Sequence, residues 1–258
     1  MTRSRGPLRR LALSQAVIAF AGLFFTTLSA QSQSDPAALM SGCVPTDQQA
    51  RLAGCSPTSI VNSGREQAGT GIGAARAVIQ EVRGTSFPEL VQVDLRVRTF
   101  RSQSDYFRTR FSLSRFLLLM RMRFFVDVNP TLFQEQAPSD AVCAILAHEF
   151  AHVVSLSRGN RIRRFGLLRL LSKRQTTKFE RRADLEAIHR GYGDGLKNYR
   201  TWVYIHIPPS KLQEKHRNYF SPEEITAIEK KLLERPDLFA YWSEHVPTNL
   251  QEIQNGRK

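Results

Sequence analysis

The stretch Ile145 to Val154 reads ILAHEFAHVV, and its HEFAH centre decides how the rest of the chain is read. On an α-helix, residues four apart share a face, so His148 and His152 project the same way and can hold one metal ion about 2 Å from each ring nitrogen. Glu149 sits one residue round, beside such an ion and not on it, where a general base for a metal-bound water belongs. Ile145, Leu146, Phe150, Ala151, Val153 and Val154 are uncharged, as a helix sunk in a core requires. A chain with six histidines yields H-E-x-x-H by chance on the order of once in a hundred such chains. Two unrelated core histidines are therefore the weaker reading.

A zinc site takes a third protein ligand. The segment TKFERRADLEAIHRG, 28 residues after His152, offers Glu180, with Asp184 one helical turn further on. Thr177 to Glu180 also reads as a capping box, in which the glutamate only satisfies a backbone N–H. The spacing of the acids favours the ligand, because like charges at i and i+4 repel by a few tenths of a kcal/mol and a shared cation removes that cost. Asp184 is then expected behind the ligands, accepting the free ring proton of a histidine, His148 first, and fixing its tautomer. The implied cofactor is one Zn2+ per chain on His148, His152 and Glu180. Cys143, five residues before His148, is turned more than about 100° from that face and is no ligand.

With 258 residues, 41% of them hydrophobic, the chain can form one domain with a real core and a small accessory segment. Arg3, Arg5, Arg9 and Arg10 precede the apolar run LALSQAVIAFAGLFFTTL and the small residues Ser29 and Ala30. This is the pattern of a secretory signal peptide over residues 1–30, with an uncleaved membrane tether as its alternative. The expected location is exported, periplasmic or secreted. Residues 31–85 read as a loosely ordered N-terminal segment containing one helix, GIGAARAVIQEVRG, and residues 86–258 as the metal-bearing domain. Cys43 and Cys55 can pair in an oxidising compartment, with Cys143 left as a buried thiol. The formal charge is +14. The signal holds four arginines and no acid, which leaves about +10 on the mature chain. Export and the absence of any nucleic-acid motif make anionic envelope surfaces or acidic polypeptides the expected neighbours in place of nucleic acid.

VQVDLRVRTF from Val91 alternates apolar and polar residues as a half-buried strand does. YFRTRFSLSRFLLLMRMRFFVDVNP holds two more strands, the last ending at Asn129-Pro130, and the three are expected to form a small antiparallel sheet. Helices follow: one from Ser139 to about Ser157, one from Thr177 to before Gly191, one from Ser221-Pro222 and a short one from Pro236. The fold class is α+β, a small sheet followed by a mostly helical half that carries both metal segments.

H-E-x-x-H followed by E-x-x-x-D resembles the gluzincin zinc metallopeptidases. FERRADLEA is similar to the E-x-x-A-D-x-x-A form of the HtpX-like and CAAX-prenyl-protease-type endopeptidases. RFFVDVNPTLF sits where that family has its active-site strand, and EHVPTNLQEI resembles its C-terminal T-H-P-P-T-x-x-R-I signature, with Val246 inserted and Gln251 and Glu252 in place of the arginine. The resemblance covers roughly residues 86–258. It implies a zincin-like domain, peptide hydrolysis with Glu149 as general base, an extended polypeptide substrate along the strand ending near Val128, and His245 as the donor to the developing oxyanion, with Tyr192 and Tyr204 behind it. His189, His206 and His216 are read as structural. Two other readings compete. One is a non-catalytic zinc-binding envelope chaperone or binding module, for which Glu149 is superfluous; the other is a basic envelope-binding protein in which HEFAH is accidental.

Overall fold

The computed structural model describes residues 72–158 and 172–256. The signal segment, Cys43 and Cys55 lie outside the described residues. Helix α1 (Ile72–Ser86) opens the described chain and buries Ala75, Val78, Ile79 and Val82. The helix expected within the N-terminal segment is thus part of the packed body.

A 3-10 turn, Pro88–Leu90, leads to strand β1 (Asp94–Thr99). The alternating pattern extends back to Val91, but the strand starts three residues later. The Arg83 guanidinium donates to the carbonyls of Leu90, Val91 and Val93 at 2.6, 2.7 and 3.1 Å and holds that stretch as a turn. Strand β2 (Phe107–Phe111), the short helix α2 (Leu113–Leu117) and strand β3 (Arg123–Val128) complete a three-stranded sheet of order β1-β3-β2.

This sheet is mixed, which corrects the antiparallel expectation: β1 and β3 run parallel, and only β2 and β3 are antiparallel. Alternation in a strand fixes which face is buried, not which strand becomes its neighbour. Here β3 is the most apolar of the three, and it takes the centre, burying Phe124, Val126 and Val128, while β1 and β2 flank it.

Helix α3 (Thr131–Gln134) turns the chain into α4 (Ser139–Arg158). Helix α4 buries residues on every side, His148, Glu149 and His152 among them, as a helix apolar all round must. It is long and apolar enough to cross a membrane, yet 83% of that window is buried inside the protein. It is the central element of the core.

Helix α5 (Lys173–Ala187) carries Glu180 and Asp184. It starts one turn before the expected Thr177, so the capping-box reading of Glu180 does not apply. Thr177 lies inside the helix, and its Oγ1 donates to Lys173 O at 3.1 Å and pairs with Asn218 Oδ1 at 3.0 Å. A π-type turn, Ile188–Tyr192, with Gly191 at φ 88°, joins α5 to α6 (Gly193–His206). Glycine suits that left-handed position. A Cβ on Gly195 would stand 2.4 Å from Asp140 O and 2.8 Å from the Ala144 Cβ, so α6 lies against α4 at a distance only glycine permits.

Helices α7 (Pro209–Asn218), α8 (Pro222–Glu234), α9 (Leu238–Glu244) and α10 (Leu250–Asn255) finish the chain. Ser221 and Glu224 form a reciprocal capping box at the start of α8. The fold is α+β: a three-stranded mixed sheet and a helical remainder.

Candidate metal centre

Helix α4 sets His148 and His152 on one face with their rings edge to face, centroids 4.7 Å apart. Helix α5 crosses that face and brings Glu180 to both. Glu180 Oε2 lies 3.2 Å from His148 Nε2 and 3.2 Å from His152 Nε2, and the two nitrogens are 3.1 Å from each other. Three donors about 2.0–2.2 Å from one tetrahedral ion stand ~3.3 Å apart, so this near-equilateral triangle is close enough to hold a metal ion. Among the described residues it is the group of histidine, cysteine and acidic side chains with that geometry.

The chemistry of the donors also fits. Two ring nitrogens 3.1 Å apart can share at most one proton. Without an ion, burial opposes charge on His148, but Asp184 and then Glu180 outweigh it and raise its pKa to about 9. Burial pushes the Glu180 carboxyl up, and the two histidines more than reverse that, leaving it well below the usual carboxylate range. Without an ion, Glu180 thus draws its stabilisation from the histidines, a role that a bound cation would take over. Phe179 stacks on His152, centroids 4.3 Å apart and rings 14° from parallel, and restrains the second ring.

Asp184 is fully buried behind His148. Its Oδ1 accepts from His148 Nδ1 at 2.7 Å and from Arg200 Nη2 at 2.7 Å, and its Oδ2 accepts from the Phe220 backbone N–H at 3.1 Å. These three donors, with Arg200 the stronger of the two charges, hold the carboxyl ionised against its burial. When the ring is neutral, with its Nδ1 proton held by Asp184, His148 presents its Nε2 lone pair to the triangle.

Glu149 is also buried, and the backbone carbonyl of the same residue accepts from Thr109 Oγ1 at 3.2 Å, which ties β2 to the histidine helix. The bonds Ser112 N to Arg123 O and Asn129 N to Tyr106 O set the ladder parity. By that parity Arg108 and Arg110 pair with β3, and the main chain of Phe107 and Thr109 turns away from it. The edge strand beside the donor triangle is therefore β2. The strand that ends at Val128 is the central one and has a neighbour on both sides.

Tyr219, which the sequence did not single out, lies over the site. Its ring is 5.7 Å from that of His148, with the Arg200 guanidinium 4.5 Å from its centroid. Burial, the charge of Glu180 and the charges of Asp105 and Glu149 raise its hydroxyl well above 10, so it stays a proton donor. Three bonds from α5 clamp the surrounding chain: Thr177 to Asn218, Asp184 to the Phe220 N–H, and Arg181 to Glu224 at 2.9 Å.

The other residues proposed for that role lie elsewhere. His245 is exposed at the end of α9, where its ring stacks on Tyr241 at 4.6 Å and its Nδ1 faces Tyr241 O at 3.3 Å. The structure does not bring it to the triangle. Tyr192 pairs its hydroxyl with Ser86 Oγ at 2.6 Å, and Tyr204 packs its ring against His216. His189 stacks on Phe239 and His206 on Trp202. Cys143 is buried. Arg200 carries no sequence signal, because it follows Asp184 by 16 residues and reaches it only through the Gly191 kink.

No protein-family profile, curated protein or solved structure matches the chain.

Proposed function

We propose that the protein is a zinc-dependent endopeptidase of zincin-like architecture, related to the gluzincin and HtpX-like enzymes its motifs resemble, that hydrolyses unfolded or flexible polypeptides in the cell envelope. The observation that carries this reading is the donor triangle of His148, His152 and Glu180, with Glu149 next in chain to a ligand and Asp184 behind it. A purely structural metal needs no Glu149. When bound, zinc would lower the pKa of a water in its open position and polarise the scissile carbonyl.

The chain's own groups perform the rest. Glu149 accepts the proton of the attacking water and delivers it to the leaving amine. Asp184 keeps His148 in the tautomer that a ligand requires. Tyr219, protonated at any physiological pH, donates to the carbonyl oxygen as negative charge gathers there, the role the sequence offered to His245. The extended substrate lies along β2, where main-chain hydrogen bonds give affinity with little demand on side-chain identity. The envelope location rests on the N-terminal signal pattern.

The test is Glu149→Gln. The variant is expected to bind zinc like the parent and to lose cleavage of an unstructured casein substrate. Undiminished cleavage would reject Glu149 as the base. A wild-type chain that holds zinc and cleaves nothing would favour the binding-module reading.

A further inference from the structure

The outer face of the sheet is an arginine surface. Strand parity places Arg96, Arg98, Arg108, Arg110 and Arg123 together with Asp94, Phe125 and Asp127 on the side facing away from the core. Five arginines meet two carboxylates, and each carboxylate is already taken. Asp94 pairs with Arg96 at 3.2 Å and Arg123 at 2.7 Å, and Asp127 with Arg108 at 2.9 Å and Arg110 at 2.6 Å. Arg98 lies over the Phe125 ring, 3.5 Å from its centroid, with no carboxylate partner among the described residues.

One end of this face is apolar. Leu118, Leu119 and Met120, between α2 and β3, are 70%, 73% and 46% exposed. Leu113 and Val91 are exposed as well, and Arg121 bonds the Gln92 carbonyl, which draws the Val91 turn to the same end. Five of the eight large hydrophobic side chains exposed among the described residues therefore gather here. Leu119 holds φ 56°, a conformation that costs a leucine energy a glycine would not lose. An exposed leucine kept in a strained turn, beside Arg115 and Arg121, which bond backbone carbonyls and no carboxylate among the described residues, is a surface suited to an apolar and anionic occupant.

We propose that this end of the sheet docks on an anionic lipid bilayer, with Leu118, Leu119 and Met120 entering the headgroup boundary and the arginines of the outer face meeting lipid phosphates. Charge alone would suit any polyanion. The apolar tip selects the bilayer, since a nucleic acid or polysaccharide gives buried leucines nothing while an interface gives them hydrocarbon. The inference extends the proposed function by placing it on a surface: β2 runs from Glu149 to this tip, so a membrane-docked molecule holds its edge strand near the lipid. It needs no metal, and it can fail without touching the zinc site.

The test uses the full chain with Leu118→Trp. The native Trp202 and Trp242 are buried, so an indole at the tip dominates any lipid-dependent signal. Its fluorescence should shift blue and be quenched by brominated lipid in phosphatidylglycerol-containing vesicles, and much less in phosphatidylcholine alone. Adding Arg96→Gln and Arg98→Gln should weaken the titration by about 25-fold, at roughly fivefold per charge. Raising salt to about 0.5 M on the unaltered face should weaken it as well, a control that requires no further substitution. A chain that sediments with vesicles while the introduced indole is neither shifted nor quenched is held by another segment, and the proposal is wrong. Equal quenching in both lipids, or binding to heparin with none to vesicles, would also overturn it.

Discussion

His148 Nδ1 and Arg200 Nη2 meet on one oxygen, each 2.7 Å from Asp184 Oδ1. A single buried carboxylate thus orients a histidine of the donor triangle and neutralises a buried guanidinium. The Phe220 N–H takes its other oxygen, so Asp184 also positions the loop that holds Tyr219.

Replacing Asp184 by Asn therefore separates charge from shape. The amide can still accept one hydrogen bond but leaves Arg200 buried without its counter-charge, and His148 loses its tautomer control. Metal affinity is expected to fall about 10–100-fold, read by competition with a chromophoric chelator. The midpoint of denaturant unfolding should fall too, because breaking a buried ion pair costs on the order of 3–5 kcal/mol. Unchanged affinity would show that Asp184 does not act through His148.

The metal-free chain should be most stable between about pH 4.5 and 6.5. The pKa of His148 is raised to about 9 from 6.5, so its contribution is complete below 6.5 and is lost as pH rises through 9, on the order of 3 kcal/mol in total. Glu180 and Asp184 are lowered, so theirs is present above the ordinary carboxylate range and lost in acid. Zinc requires a neutral His148, and the rise in melting temperature on adding zinc should therefore grow from pH 6 to 9. Differential scanning calorimetry with and without zinc tests both signs. A zinc effect that shrinks over that range would contradict the assignment.

Much of this was readable beforehand, for physical reasons that differ by residue. His148, Glu149 and His152 share one turn of one helix, so spacing alone sets their geometry. Glu180 and Asp184 also repeat at i and i+4, and their positions on α5 could be read, although the start of that helix could not. Arg200 and Tyr219 could not be found, because each reaches the site through a kink or a loop whose course depends on packing: Gly191 at φ 88° for one, the clamp at Asn218 to Phe220 for the other. The direction of β1 is not legible, because alternation carries no information on strand order. The C-terminal motif suggested His245, yet the fold leaves it stacked on Tyr241.

Tyr219→Phe removes one hydroxyl from a ring the fold already holds. The variant should keep zinc and KM and lose about 10²-fold or more in kcat on a flexible polypeptide. His245→Ala should stay within about twofold of the parent. The opposite pattern would return the role to His245.

Gly195→Ala tests the close approach of α6 to α4. Its Cβ would fall 2.4 Å from Asp140 O, so the helices must part, at a cost of about 1–3 kcal/mol. Denaturant unfolding should show that loss. Metal affinity should also weaken, since Arg200 rides on α6. A variant as stable as the parent would mean that the two helices are not packed this tightly.

The most direct test of the central claim is zinc per chain, measured by elemental mass spectrometry on the purified protein beside Glu180→Ala. About one zinc in the parent and a marked loss in the variant is the predicted result. A parent that takes up no zinc when metal is supplied would mean that His148, His152 and Glu180 form an ordinary buried polar cluster, and the peptidase reading would go with it.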